Sequence, residues 1–326
     1  MLNLGVIGTN WITKMFVEAA EQSEAYTLTS VYSRKVETGQ AFAPTAKIYT
    51  NLSEFFDSGI DVVYIASPNS LHFAQAAQAI QHDLQVIVEK SIFSNPTEYE
   101  EIYSLLRDHP KAHLFEATRH VHQPNFKAIE AQVAEMPVVS GGTFVYEKYS
   151  SRFDAYLAGE EPNVLTREFS AGALTDLGVY PIYAIVKLFG MPKSSHYFAT
   201  KLANGADGRG TAILRYDGFD MTAQFGKMAT SYQHSELLGQ KDTIVIDNIA
   251  ELNEVQYVDG QGNQTTLSHP LTENPMLAEA NDFARIINAP AEYADEYREW
   301  LLLSQRVNQV LTDLRKSAGI VFPADH

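Results

Sequence analysis

Residues 2–12 read LNLGVIGTNWI, and what this stretch forms decides the fold. Leu2 to Ile7 is a short apolar run of the length of one buried strand. Gly8, Thr9 and Asn10 interrupt it. From Trp11 to Gln22 the apolar positions recur at helical spacing. Strand, glycine turn and helix at the start of a chain is the arrangement in which a dinucleotide pyrophosphate rests on a helix N-terminus. Gly8 supplies the tight turn. The usual fingerprint has a further glycine where Asn10 stands. Asparagine tolerates the left-handed region better than most residues, so the turn is expected to survive. Gly8, Thr9, Asn10, Trp11 and Ile12 are therefore candidate cofactor-binding positions, set against the plainer alternative of an ordinary strand-to-helix turn.

Outward from this stretch, strands and helices alternate. Strands are expected at 26–32, 48–49, 62–66, 85–88 and 113–116. Helices are expected at 36–43, 71–81 and 97–107, the last with Thr97 as its cap. Such alternation argues for a parallel, doubly wound sheet with helices on both faces. The pattern changes near residue 120. Helices at 126–135 and 173–189 flank a long strand at 138–149. From 197 to 267 strands dominate, with Asp207-Gly208, Asp217-Gly218 and Asp259-Gly260 read as turn signals. Helices at 276–287 and 294–318 close the chain. The expected fold is α/β: an N-terminal Rossmann doubly wound parallel sheet over 1–120, and a C-terminal α+β domain with a large open, mainly antiparallel sheet over 121–326.

Composition bounds the function. The 326 residues are 45% hydrophobic and 20% charged, which suits a folded chain with a sizeable core. A net charge of −16 with no basic stripe argues against nucleic acid as a partner. The absence of cysteine excludes disulfides, thiolate nucleophiles and Cys-ligated zinc, and it suits a cytoplasmic location. The start has neither a basic n-region nor a cleavage signal, and no membrane partner is expected. None of the ten histidines has a convincing metal spacing, so no metal is expected.

Two strand ends carry chemistry. The second strand runs into Ser33-Arg34-Lys35. NAD sites usually place an acid there for the ribose 2′-hydroxyl, whereas basic residues suit the 2′-phosphate of NADP. Ser33, Arg34 and Lys35 are candidate phosphate contacts, so NADP is favoured over NAD. A solvated basic turn is the plainer alternative. Further on, residues 84–96 read LQVIVEKSIFSNP. This buried strand stops at Glu89 and Lys90, on the carboxyl edge where ligands bind in such sheets. A partly desolvated lysine can act as an acid or an electrostatic clamp.

Four blocks together resemble the glucose–fructose oxidoreductase / inositol dehydrogenase / rhizopine-catabolism (Gfo/Idh/MocA) family over nearly the whole chain. They are GVIGTNWI; Tyr64-Ile-Ala-Ser67-Pro68-Asn69 with His72; Glu89-Lys90; and Gly172-Ala-Leu-Thr-Asp176-Leu-Gly178-Val-Tyr180. The resemblance implies cofactor contacts from Ser67, Pro68, Asn69, His72, Glu89 and Lys90, and catalytic roles for Lys90, Tyr180 and Asp176. The chain departs from the family pattern at Asn10, at Ala171, at Ser91 in place of a proline, and at Tyr180 in place of histidine. Tyr180 instead matches the tyrosine branch, which resembles dimeric dihydrodiol dehydrogenase. Asp176 and Tyr180 stand i and i+4 on one predicted helix, so both project to one face. Tyr180 would exchange the proton. Lys90 would stabilise charge and make that phenol more acidic, or would itself be the proton donor. Asp176 would orient Lys90 or take a substrate hydroxyl. Arg167, His120 and His122 are weaker candidates for lining the cleft.

The expected protein is an NAD(P)-dependent oxidoreductase acting on a sugar, polyol, cyclic diol or related carbonyl compound, as a homodimer or a dimer of dimers. Two rivals share the fold: a non-catalytic dinucleotide-binding regulator, and a reductase of a quite different carbonyl or imine such as a tetrapyrrole.

Overall fold

The computed structural model describes residues 1–326, which fold into two compact units. One comprises Met1–Arg119 with Thr272–Ser304; the other comprises His120–Leu271 with Gln305–His326. The chain thus passes between the units near residues 119, 271 and 304, where the sequence suggested one passage near 120.

The first unit is built on six parallel strands: β1 (Leu2–Ile7), β2 (Tyr26–Tyr32), β3 (Lys47–Tyr49), β4 (Val62–Ile65), β5 (Gln85–Glu89) and β6 (Leu114–Ala117). Their order across the sheet is β3-β2-β1-β4-β5-β6. That order reverses direction at β1, the point where doubly wound sheets open a crevice for a ligand. The helices are α1 (Trp11–Gln22), α2 (Val36–Phe42), α3 (Leu52–Phe56), α4 (His72–Gln81) and α5 (Pro96–Asp108). The central strands are apolar along their length because both faces are covered. Val62 and Tyr64 of β4 join a core with Phe16, Val17 and Ala20 of α1, whereas Val63 and Ile65 join another with Ala76, Ala79 and Ile80 of α4. The Tyr64 ring stacks parallel on Phe16 with centroids 3.9 Å apart, fixing α1 on the sheet. The late helix Leu277–Asn288 belongs to this unit, adding Ala280, Phe283 and Ile286 to the α1 core.

Local expectations needed three corrections here. Residues 52–56 form a short helix where none was expected, because Asn51 accepts from the Glu54 N–H and starts it. The cap of α5 is Asn95, which accepts from the Glu98 N–H at 3.1 Å; Thr97 lies inside the helix because Pro96 occupies its first position. Asp207-Gly208 is not a turn. It opens a strand, for a reason that emerges below.

The second unit holds an eight-stranded sheet: β7 (Gly141–Glu147), β8 (Ser194–Lys201), β9 (Asp207–Arg215), β10 (Asp220–Gly226), β11 (Ser235–Leu238), β12 (Thr243–Ile246), β13 (Val255–Val258) and β14 (Gln264–Thr266). The order is β14-β13-β12-β11-β7-β10-β9-β8, antiparallel except where β7 and β10 run parallel. Tyr197, Ala212, Ala223 and Phe144 are cross-strand neighbours on one face and all are buried. Phe198, Thr211 and Gln224 are neighbours on the other, where Phe198 is 60% exposed. The helix Val179–Phe189 packs on β7 and β10. The stretch Arg167–Phe189 is long and apolar enough to cross a membrane by length and composition, but 83% of that apolar window is buried inside the protein, as befits a core helix.

Candidate functional site

In the first unit, Gly8 has φ +110°, and a Cβ there would lie 2.8 Å from the Ala66 carbonyl oxygen. Only glycine allows the turn to pass so close to the end of β4. Asn10 does not adopt the left-handed conformation expected of it. Its backbone is extended (φ −88°, ψ 178°), as a capping residue requires for its side chain to reach the first helical turn. Its Oδ1 accepts from the Ile12 and Thr13 N–H groups, both at 3.0 Å, and its Nδ2 donates to the Ala66 oxygen at 3.1 Å. Asn10 thus does two jobs: it starts α1 and it ties the glycine turn to β4. Thr9 and Ile12 are half-buried, and the Trp11 side chain is 72% exposed beside the turn.

At the end of β2, Ser33 is buried, its N–H donating to the Tyr49 carbonyl at 3.0 Å. Arg34 and Lys35 are both exposed. Two cations thus stand where an acid would mark the NAD-specific form, and Ser33 presents little of its surface.

Ser67, Pro68 and Asn69 follow β4 as a half-buried turn. The Ser67 hydroxyl donates to Gln75 Oε1 at 2.7 Å. His72 is fully buried and touches main chain on both sides of its ring: Nε2 lies 2.8 Å from the Ser67 oxygen, and Nδ1 lies 3.1 Å from the Ile92 oxygen. Burial holds its pKa below the usual histidine value. A histidine so enclosed braces the two loops after β4 and β5 rather than reaching a ligand itself. Glu116 braces the same turn from β6. It accepts from the Ile92 N–H at 3.0 Å and from the Ser304 hydroxyl. Lys90 is half-buried at the end of β5, and the Lys90–Ser91 peptide is cis.

Glu89 faces inward and accepts from the Tyr64 hydroxyl. Burial raises its pKa, opposed by Lys90, the Tyr64 hydrogen bond and Arg119. Glu279, fully buried on the helix Leu277–Asn288, stands in the field of Glu89; burial and that carboxylate push its pKa well up, with Arg119 opposing. Nothing in the sequence pattern flagged Glu279, because one acid in an amphipathic helix reads as a solvated position.

In the second unit, the expected helix 173–189 opens as a π-helical turn over Leu174–Gly178 before continuing as Val179–Phe189. Pro181 has no N–H for the preceding turn, and a widened turn accommodates it. The start of this segment is held by Asp207, buried at the head of β9. Its carboxylate accepts from the Leu174 N–H at 2.6 Å and from the Tyr197 hydroxyl at 2.7 Å. That is why Asp207-Gly208 is strand rather than turn. Gly172 approaches so closely that a Cβ would lie 1.9 Å from Asp207 Oδ1.

Asp176 lies in the π turn, with its side chain 31% exposed, and forms an ion pair with Lys227. Lys227 follows β10 and is 2% exposed. Tyr180 is 8% exposed. Its ring is flanked by His120, with centroids 4.9 Å apart, and by Tyr146, edge-on at 5.3 Å. His120 Nε2 also lies 3.0 Å from the Tyr180 carbonyl, so His120 acts as packing behind the tyrosine. His122 is buried, and the exposed Arg167 donates to the Asn204 carbonyl at 3.1 Å. The structure therefore brings Asp176 and Lys227 together, and Tyr180 with His120 and Tyr146. Lys227 was missed because a lysine just past a strand end ordinarily signals solvent.

A glycine turn between the first strand and first helix of a doubly wound parallel sheet, at its switch point, is the arrangement of a dinucleotide-binding domain. Comparison with known proteins gives the particular family. Residues 2–116 match the Gfo/Idh/MocA model for the oxidoreductase family with an NAD-binding Rossmann fold, and residues 146–245 match the Gfo/Idh/MocA C-terminal domain. The oxidoreductase YgjR of Escherichia coli (strain K12) is 38% identical over 329 residues, covering 100% of this chain and 99% of its own. The scyllo-inositol 2-dehydrogenase (NADP(+)) IolU of Bacillus subtilis (strain 168) is 38% identical over 331 residues, with the same coverage. The chain belongs to the Gfo/Idh/MocA family and is an NAD(P)-dependent oxidoreductase. Its fold is also that of KijD10, a 3-ketoreductase from Actinomadura kijaniata solved with NADP and TDP-benzene: the TM-score is 0.81 at 18% identity, covering 97% of each chain.

Proposed function

We propose that the protein oxidises and reduces a polyol, sugar, cyclic diol or related carbonyl compound with NADP as its preferred nicotinamide cofactor. The observation that carries the reading is full-length similarity, at 38% identity, to a relative named as an NADP-dependent dehydrogenase of a cyclic polyol. The cofactor preference is supported by exposed Arg34 and Lys35 after β2.

The residues of the first unit suit a dinucleotide: Gly8 lets the turn pass tightly against the end of β4, and α1 presents its N-terminus just after it. Gly8, Thr9, Asn10, Trp11 and Ile12 would hold the pyrophosphate, and Ser33, Arg34 and Lys35 the adenosine end. Ser67, Pro68, Asn69, Glu89 and Lys90 would hold the nicotinamide end, with His72 as the brace behind them. The nicotinamide ring, when bound, supplies the hydride acceptor. In the oxidising direction the substrate C–H gives up its hydrogen with both electrons, and the hydroxyl proton passes to a base. Tyr180 is the group proposed to take that proton, and to return it in reduction. Lys90 stabilises the developing alkoxide. Asp176 accepts from a substrate hydroxyl.

A cytoplasmic location is proposed, in keeping with a chain that lacks cysteine. A homodimer, or a dimer of dimers, is proposed through the open sheet face that bears the exposed Phe198, since a partner subunit would cover such a face.

Titration with NADPH and NADH, followed by nicotinamide fluorescence in wild type and Arg34→Ala, tests the reading. NADPH affinity that falls selectively in Arg34→Ala supports it. Equal binding of NADH, indifferent to Arg34, would overturn the NADP preference. Oxidation of a cyclic polyol panel with NADP, lost in Lys90→Ala, tests the reaction.

A further inference from the structure

We infer that Lys227 is the positioning residue for Asp176, and that through Asp176 it sets affinity for the hydroxyl-bearing substrate. The inference rests on the proposed substrate contact of Asp176 and goes beyond it by naming what aims that carboxylate.

Four observations converge. First, the Lys227 side chain is only 3% exposed, whereas that of Asp176 is 31% exposed. The cation is therefore behind the carboxylate, and the anion is what the surface presents. Second, Lys227 Nζ pairs with Asp176 Oδ2 and donates to the Val164 carbonyl at 3.4 Å, and the buried Asp207 carboxylate also stands in its field. Third, the Lys227 backbone is tied on both sides: its N–H donates to the Gly208 oxygen at 2.8 Å, and its carbonyl accepts from the Ser150 N–H at 3.0 Å. The ammonium thus hangs from a fixed strand end. Fourth, Asp176 lies in a π turn, an interruption of the helix that occurs frequently at functional sites.

Taking a lysine out of water is costly, and one partly exposed carboxylate, one long hydrogen bond and the field of buried Asp207 repay it only in part. Stability alone would be served as well by an apolar residue of similar volume. The pair makes sense as a device for orientation. The compact ammonium fixes Oδ2 on one side and so sets the direction in which the carboxylate faces a hydroxyl donor. Lys227 itself is too buried to touch substrate.

The test uses the full-length protein with NADP and scyllo-inositol, D-xylose or trans-1,2-dihydrobenzene-1,2-diol, whichever wild type oxidises. In Lys227→Met the KM for that substrate is expected to rise at least about tenfold, with kcat within about threefold and NADPH affinity unchanged. In an Asp176→Asn background, Lys227→Met is expected to change KM by less than about twofold, because nothing remains to be aimed. A merely structural lysine would show neither the KM-specific effect nor its disappearance in the double variant. Should Lys227→Met fail to fold, Lys227→Gln, which removes the charge but keeps a polar group at the site, carries the comparison with a smaller rise in KM, about threefold, that again disappears in the Asp176→Asn background. Unchanged KM in the single variant, or effects that multiply in the double, would overturn the inference while leaving the proposed function standing. Wild type that binds NADPH yet oxidises none of the three substrates would sink the substrate reading and the inference with it.

Discussion

Replacing Asn10 with Asp should separate the stability of the glycine turn from its affinity for a dinucleotide. Asn10 Oδ1 caps the Ile12 and Thr13 N–H groups, both at 3.0 Å, and aspartate caps as well as asparagine. The added charge at a helix N-terminus contributes about 0.5 kcal/mol. Against that, aspartate loses the donation from Nδ2 to the Ala66 oxygen, worth about 1 kcal/mol. The fold should therefore change by no more than about 1 kcal/mol, or about 4 °C in Tm for a unit of this size. Binding should behave differently. A pyrophosphate on the N-terminus of α1 would lie about 5 Å from the new carboxylate. At that distance unit charges repel by about 0.8 kcal/mol in water and about 3 kcal/mol at an effective dielectric of ~20. Because Asn10 is exposed, about 1.5 kcal/mol is the better figure, a weakening of about tenfold. Fluorescence titration with NADPH at low and high salt, beside a thermal melt, reads both quantities. The loss of affinity should shrink as salt screens the repulsion. Asn10→Asp protein that melts like wild type and binds NADPH within about twofold of it at low salt would refute the placement of the pyrophosphate.

Three further outcomes are expected. Gly172→Ala should cost about 3 kcal/mol by urea denaturation, because its Cβ displaces the Asp207 carboxylate from Leu174 and Tyr197; a loss below about 1 kcal/mol would mean that Asp207 relocates freely. Glu279→Gln should flatten the pH dependence of stability. Since the native pKa of Glu279 is raised, the folded state keeps a proton that the unfolded state releases, so wild-type stability falls as pH rises above the usual carboxylate value towards the native one. Urea midpoints from about pH 5 to about pH 8 should show the variant gaining on wild type with pH, whereas a constant offset would contradict the assignment. Glu116→Ala should untie Ile92 and Ser304, costing about 1–3 kcal/mol, and should lower kcat through the loosened Lys90 turn; full activity would show that His72 alone holds that turn.

The first unit was legible in the sequence because its determinants are local. Apolar runs of strand length alternating with helical spacing specify a parallel sheet, and Gly8 marks the crossing where only a residue without Cβ fits. Lys90, Asp176 and Tyr180 were singled out from the sequence because each falls inside a block of recognisable pattern. What surrounds them was not. Lys227 lies 51 residues after Asp176, Asp207 33 residues after Leu174, and Glu279 on a helix nearly two hundred residues beyond Glu89. No periodicity links such pairs, because burial of a charge is decided by which strands become neighbours. A lysine, an Asp-Gly and a lone helical glutamate each read alone as solvent-facing. Only the tertiary structure, by closing a sheet around them, turns the first into an ion-pair partner, the second into a helix anchor and the third into a buried acid.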